Sequence, residues 1–411
     1  MTSSSTPPRG AFTPTPPAVT LTDLGGVRAA GVAAGIKASG KPDVALLVFD
    51  GPISCAASFT QNAFAAAPVL VCREHLEKSG GLLRALIVNA GNANACTGDL
   101  GMAHARAMVH HVAAKLGCPV EQVLVASTGV IGVPLPIERV LEGADRALAS
   151  LGDDAASARR FLEAIMTTDS FQKEAGEVRA GGREAGVAKG AGMIEPNMAT
   201  MISIAGTTHA LTPAELKGAL PAILERSFNA IHVDSHASTN DSFFLFATGS
   251  EPADGAPVAR EPAIAALSAI AERLAWLIAR DGEGATKVTT IDVAGAKDDA
   301  SARDMARRVA HSALVRTALY GNDPNWGRFV SAVGNSPLAR DVSRLSCTLQ
   351  GIRVFERGQP TAFDRRAASC AMASSDDLRI ELDLHDGPGR ARVLTSDLGY
   401  RYVEVNAEYT T

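Results

Sequence analysis

A layered α/β fold is what this sequence predicts, and three observations carry the prediction. Apolar runs of strand length alternate with longer segments of helical periodicity, and they do so in both halves of the chain. Turns rich in glycine, proline and asparagine punctuate that alternation. The 411 residues are 46% hydrophobic and 20% charged, enough to bury substantial cores in two or three domains or sub-domains. Parallel and antiparallel sheets both fit this pattern, and the two halves show no evident repeat.

Taken in order, residues 1–22 are rich in Ser, Thr and Pro and lack the apolar core of a secretory signal, so they are expected to form a disordered or draped tail. Val27 to Lys37 is glycine-punctuated, and Val44 to Phe49 reads as a buried strand. Ala85 to Asn89 is a second such strand, running into a loop of small residues and amides, Ala90 to Gly98. A helix follows through His104 to Lys115, and Gln122 to Ala126 is a strand ending in Ser127-Thr128-Gly129. Helices fit Ile137 to Leu151 and Ala155 to Met166, the second stopping at Thr167-Thr168-Asp169.

Lys189 to Ala199 has the composition of a loop, after which Thr200 opens the apolar strand Thr200 to Ala205. Thr212-Pro213-Ala214-Glu215 is a capping box with Pro at the first helical position, starting a helix toward Phe228. Phe243 to Thr248 is the most apolar strand, and Glu261 to Ala279 is a long helix closed by Asp281-Gly282-Glu283-Gly284. A strand at Val288 to Val293, a helix at Arg303 to Leu319, and strands at Leu378 to Leu384 and Ala391 to Leu394 complete the pattern.

Composition narrows the function. The net charge is −5, aromatics are 5%, and no Arg/Lys stripe interleaves with them, which argues against nucleic-acid binding. The apolar runs, such as Val44 to Phe49, are too short to span a bilayer, so no membrane association is expected. Cys55, Cys72, Cys96, Cys118, Cys347 and Cys370 are scattered without Cys-x-x-Cys spacing, as reduced thiols of a cytoplasmic protein would be.

The residues that could carry chemistry centre on Ala199-Thr200. Were that bond cut, Thr200 would hold a hydroxyl and a free α-amine on one residue, and an amine of pKa about 7.7–8.0 can take the hydroxyl proton near neutral pH. An ordinary loop–strand junction would have the same composition. Ser127-Thr128-Gly129 can aim a hydroxyl and a backbone N–H at one spot, as an oxyanion requires, although a simple turn would read alike. The sharpest rival is His232-Val233-Asp234-Ser235-His236: on a strand, His232, Asp234 and His236 share a face and could meet a divalent metal. Ligands so closely spaced converge only on a curved strand, and no metal is expected. No Gly-x-Ser-x-Gly or Walker spacing is present. Asp323-Pro324-Asn325-Trp326-Gly327-Arg328 is a turn that could be a packing corner or a site wall.

Several segments together resemble the ornithine acetyltransferases, or glutamate N-acetyltransferases, of arginine biosynthesis. The resemblance runs from about Ala29 to Thr411. It rests on Ala30 to Lys37, Asn89 to Gly98, Ser127-Thr128-Gly129, Thr167-Thr168-Asp169, Lys189 to Met201, Ser238-Thr239-Asn240-Asp241, Asp281 to Lys287, Asp323 to Arg328 and Asn406 to Thr411. It implies the sandwich of N-terminal-nucleophile-like hydrolases with central antiparallel sheets. It also implies self-cleavage at Ala199-Thr200 into an α chain (23–199, after the tail) and a β chain (200–411), assembled as two of each. Thr200 would take the acetyl group from N2-acetyl-L-ornithine and pass it to L-glutamate. The resemblance further implies Thr128 and Gly129 at the oxyanion, and Thr167, Lys189, Glu283, Asn406 and Thr411 in substrate contacts. No cofactor is implied; acetyl-coenzyme A is left open only as a second acetyl donor.

Some positions depart from the family pattern. Asp234-Ser235-His236-Ala237 replaces a more frequent Asp-Gly-Asp-Thr, His209 stands where an acid is common, and Arg316 replaces a usual Lys. These put acceptor specificity in doubt rather than reaction class. The alternatives are a hydrolase or aminopeptidase of the same fold that gives its acyl group to water, and an uncut binding protein.

Overall fold

Most of the apolar runs become strands of two sheets; in the first, strands Ile202–Thr207 and Ser242–Ala247 are buried on both faces and so do not alternate, whereas in the second, strand Asp377–Asp383 alternates buried residues with exposed or half-buried ones. The computed structural model describes residues 12–179, 181–195, 201–251, 260–339 and 341–408. The first half supplies β1 (Val27–Val32), β2 (Val44–Phe59), α1 (Ala67–Lys78), β3 (Leu82–Asn92), α2 (Gly98–Leu116), β4 (Val123–Val130), α3 (Ile137–Ala149), α4 (Ala155–Ile165), β5 (Lys173–Arg179) and β6 (Gly182–Lys189). Then come β7 (Ile202–Thr207), α5 (Pro213–Arg226), β8 (Ile231–His232), β9 (Ser242–Ala247) and α6 (Arg260–Arg280).

Among the described residues, β4-β3-β2-β9-β7-β6-β5, with β1 on β2, make an eight-stranded sheet. The ladders are mainly antiparallel, with parallel pairs at β3/β4 and β7/β9. One face packs on α1 to α4 around Phe49, Phe161 and Phe246; the other packs on α5 and α6 around Phe228 and Phe243. Val44 to Phe49 and all of β9 are buried, which explains their unbroken apolar character.

The remaining elements are β10 (Val288–Ala296), α7 (Asp299–His311), α8 (Ala313–Tyr320), α9 (Trp326–Gly334), β11 (Ser346–Leu349), β12 (Ile352–Glu356), β13 (Gln359–Pro360), α10 (Arg365–Ala373), β14 (Asp377–Asp383), β15 (Gly389–Ser396) and α11 (Tyr400–Glu408). Strands β13-β12-β11-β14-β10-β15-β8 form a seven-stranded sheet. Its core is shared with α7 to α9. Helix α6 contacts strands of both sheets and joins the two halves. By length and composition α6 would suit a membrane, but 61% of its apolar window is buried inside the fold, as in a core helix.

Several sequence expectations change. The strand expected over Val44 to Phe49 continues as β2 to Phe59, through a shift in register between Val48 and Ile53 that absorbs Asp50-Gly51-Pro52 as a bulge. The charged hairpin β5–β6 has no strand signal because Lys173, Glu174, Glu177, Arg183 and Glu184 interrupt its apolar positions. The helix expected over Arg303 to Leu319 is two. Ser312 is extended (φ −66°, ψ 111°) and its hydroxyl accepts from Val315 N, capping α8. The strand that a metal site at His232 to His236 would need is not formed: β8 stops at His232, and Ser235 takes a positive φ of 61°.

Of the expected tail, residues 1–11 lie outside the described residues, but 12–22 are packed: Phe12 contacts the rings of Phe171 and Trp276, and Val19, Thr20, Leu21 and Thr22 are buried. Gly176 makes room for them, since a Cβ there would lie 1.9 Å from the Val19 carbonyl oxygen. Removing residues 1–22 is therefore expected to lower the thermal midpoint, since burial of each Val or Leu is worth about 1.5–3 kcal/mol. An unchanged midpoint in a thermal melt would contradict the packing role.

Candidate active site

A cavity of about 290 Å³ collects residues from distant parts of the chain. Thr128 and Gly129 come from β4, Thr167 and Thr168 from the turn after α4, Lys189 from the end of β6, Glu283 from the turn after α6, and Asn406 from α11. Both threonines of the 167–168 pair line it. Ala93, Ile131, Gly192, Met193 and Ser238 to Asn240 fill the intervening wall.

Gly129 has φ +131°, and a Cβ on it would lie 2.3 Å from the Gly91 carbonyl carbon of the adjoining strand. Only glycine allows this close approach of β3 and β4. Thr128 is buried, and its Oγ1 accepts from Lys189 Nζ at 2.9 Å. With an acceptor position filled by the ammonium, the hydroxyl hydrogen is left to point at a developing negative charge. Asn240 braces this corner: its Nδ2 donates to Ala93 O at 2.6 Å and to Ser127 O at 2.8 Å. Ser127 in turn donates to Asn89 Oδ1 at 2.6 Å.

Lys189 is only 2% exposed. Burial lowers its pKa, the Asp169, Asp241 and Glu283 carboxylates oppose that shift, and the Lys173 ammonium reinforces it. Asp169 ties the surrounding loops together. Its Oδ2 accepts from Thr167 N at 2.9 Å, and its Oδ1 from Gly190 N at 2.7 Å and Lys173 Nζ at 2.6 Å. Burial alone would raise this carboxyl's pKa, but Lys173, Lys189 and the Gly190 N–H hold it well below the usual range. Lys173 also donates to Asp281 Oδ2 at 2.5 Å, and Ser170 N donates to the same carboxylate, so the turn carrying Glu283 is anchored to the same ion pair.

Glu283 N donates to Ala191 O at 2.9 Å, and its Oε2 accepts from Asn406 Nδ2 at 3.0 Å. Gly192 lets that carboxylate in: a Cβ there would sit 2.3 Å from Glu283 Oε2. Asp234 accepts from Met193 N and Ile194 N at 2.6 and 2.7 Å, which fixes the chain just before residues 196–200.

Ala199, Thr200 and Thr411 lie outside the described residues. On the far side of that segment, Met201 N donates to Asp241 Oδ1 at 3.2 Å, and Ile202 pairs with Lys189 across the β6/β7 ladder. The residue after Thr200 is thus bonded to a buried carboxyl whose pKa burial holds well above the usual range. Lys189, across the ladder from the next residue, reaches the cavity.

The metal rival does not assemble as a strand triad. Asp234 is taken up by backbone N–H groups and His236 is exposed, while buried His232 Nδ1 donates to the Glu195 carboxylate at 2.8 Å. His209 is buried against Glu184 at 3.3 Å, and Arg316 donates to Ser396 O at 2.8 Å; neither lines the cavity. The Asp323 to Arg328 turn is a packing corner: Trp326 stacks on Phe355 with centroids 4.8 Å apart, and Arg328 donates to Leu314 O in the first turn of α8 at 2.7 Å. A larger groove of about 830 Å³ on the second sheet holds none of the expected residues; Asp292 pairs there with Arg379 and Arg392. Roles for Asp169, Asn240 and Asp241 were missed. Their signal was membership of the Thr-Thr-Asp and Ser-Thr-Asn-Asp segments, but their partners appear only in three dimensions.

The model of the ArgJ family matches residues 28–411. A protein of Thermus thermophilus named arginine biosynthesis bifunctional protein ArgJ is 46% identical over 387 residues, covering 94% of this chain and 98% of that one. Its namesake in Rhodopirellula baltica is 42% identical over 394 residues, covering 94% and 96%. Among solved structures, the argJ protein of Bacillus halodurans aligns at 36% identity with a TM-score of 0.48, over 50% of this chain and 98% of that chain. Ornithine acetyltransferase of Mycobacterium tuberculosis, solved with ornithine, aligns at 36% identity with a TM-score of 0.39, over 44% and 96%.

Asp169→Asn is expected to cost about 3 kcal/mol in denaturant unfolding, because it removes one of the two carboxylates facing a buried ammonium. The folded pKa of Asp169 lies below its unfolded value of about 3.9, so its contribution is complete above that pH and is lost as pH falls toward the folded value. The variant should show a shallower acid limb. Equal stability of the two proteins at neutral pH would remove Asp169 from the role given to it.

Proposed function

The chain belongs to the ArgJ family of ornithine acetyltransferases of arginine biosynthesis, and from that premise we propose how its own residues move the acetyl group. One observation supports the reading above the rest. The cavity that joins Thr128, Gly129, Lys189 and Glu283 is walled by Lys189, which pairs with Ile202 two residues beyond Thr200.

In this proposal the chain cuts itself between Ala199 and Thr200. The Thr200 hydroxyl then attacks the acetyl carbonyl of N2-acetyl-L-ornithine, and its α-amine takes the hydroxyl proton. Thr128 Oγ–H and the Gly129 N–H hold the oxyanion. Collapse breaks the amide C–N bond, the proton passes from the Thr200 ammonium to the departing ornithine amine, and an acetyl ester remains on Thr200. The amine of L-glutamate attacks that ester through the same oxyanion, and Thr200 is restored. Lys189 is assigned to the substrate carboxylate and Glu283 to the ornithine side-chain ammonium, with Thr167, Asn406 and Thr411 as further contacts.

The hydroxyl and amine of Thr200 supply the nucleophile and base, so the proposal assigns no cofactor. Acetyl-coenzyme A is proposed as a second donor, since the relatives are named bifunctional. Assembly from two α and two β chains in the cytoplasm belongs to the same proposal.

Purified protein is expected to run as two fragments of similar size on a denaturing gel, the C-terminal one beginning Thr-Met-Ile-Ser; Thr200→Ala should stay full length and inactive. A wild-type chain that remains intact yet active would overturn the mechanism. Acetyl-ornithine should yield acetyl-glutamate much faster than acetate. Acetate formed equally fast without glutamate would instead favour the hydrolase.

A further inference from the structure

Glu195 stands five residues ahead of Thr200 and makes contacts that the acetyl transfer does not use. One carboxylate oxygen meets His232 Nδ1 at 2.8 Å, and the other meets His311 Nε2 at 3.0 Å. His232 ends β8 and His311 ends α7, so the topology brings together three residues far apart in sequence. Their imidazole rings stack with centroids 3.9 Å apart and planes 29° from parallel. The three ligand atoms lie within 4.8 Å of one another.

We propose that Glu195, His232 and His311 form a binding site for one divalent cation of borderline softness, such as Zn²⁺. Two imidazole nitrogens and one carboxylate are a common protein donor set for zinc, with water in the remaining position. Burial is graded across the site. His232 is 1% exposed, Glu195 20% and His311 39%, so the ion has an anchored inner wall and an open side for entry. The Glu195 carboxylate holds the ring proton of metal-free His232 on Nδ1, and an ion at Nδ1 would displace that proton to Nε2, which is buried without a hydrogen-bond partner among the described residues. Zinc–ligand distances near 2.0–2.2 Å require donor separations of about 3.3 Å, and His311, at the exposed end of its helix, can supply the movement.

Two cations flank the site. Arg316 is engaged by Ser396 O at 2.8 Å and Ser396 Oγ at 3.1 Å, whereas Arg307 bears electrostatically on Glu195 and weakens the attraction. A bound ion would clamp the chain where it enters residues 196–200. It would act beside the neighbouring anchor of Asp234 on Met193 and Ile194.

The test is titration of chelator-treated, purified protein with Zn²⁺ by calorimetry and with Co²⁺ by visible absorption. One ion per 411-residue chain is expected, with low-symmetry Co²⁺ bands. His311→Ala and Glu195→Gln should each weaken binding on the order of 10–100-fold while the metal-free thermal midpoint stays close to wild type. The absence of stoichiometric binding, or affinity unchanged in both variants, would overturn the proposal.

Discussion

The carboxylate of Asp169 is the joint on which the cavity depends. It has no exposed side-chain surface, and an unpaired charge so buried would cost several kcal/mol. Lys173 and the N–H groups of Thr167 and Gly190 offset that cost. In doing so they fix the end of α4 to the end of β6. Lys173 extends the joint to Asp281, and so to the turn carrying Glu283. Glycine-rich loops that would otherwise sample many conformations therefore hold Lys189 and Glu283 in place with little backbone freedom left.

Burial changes what Lys189 and Thr128 can do. Charges interact more strongly where water is excluded, so the Lys189 ammonium beside Thr128 both orients the hydroxyl and favours negative charge in its vicinity. Glu283 supplies the opposite sign in the same cavity, as a zwitterionic amino-acid substrate would require. Asn240 braces the Thr128–Gly129 corner through the backbone carbonyls of Ala93 and Ser127, Ser127 Oγ donates to Asn89 Oδ1, and Asp241 fixes the start of β7 through Met201. The same constraint, buried polar groups each given a partner, shapes both the substrate walls and the strand that follows Thr200.

Much of this was legible in the sequence, for identifiable reasons. Thr128, Gly129, Lys189, Glu283 and Asn406 lie in segments of distinctive composition, and all five line one cavity. Unbroken apolar runs disclosed the strands buried on both faces, such as β9. What stayed hidden depended on partners distant in sequence. Asp169 is bonded to Gly190, 21 residues on, and Lys173 reaches Asp281, 108 residues on, separations that no local period discloses. Asp50-Gly51-Pro52 carries the chemistry of a turn but is absorbed as a bulge, and the break at Ser312 rests on one capping hydroxyl inside a continuous helical pattern. His232 and His236 suggested ligands on a shared strand face, whereas the fold pairs His232 with Glu195 and His311 instead.

The transfer mechanism is tested most directly by intact-mass measurement of the purified protein after incubation with N2-acetyl-L-ornithine and no glutamate. A single acetyl group is expected on the chain that begins at Thr200, lost again, with acetyl-glutamate formed, when L-glutamate is added. No acetyl adduct on either chain, or an adduct confined to a residue other than Thr200, would contradict the assignment of Thr200 as the acetyl carrier.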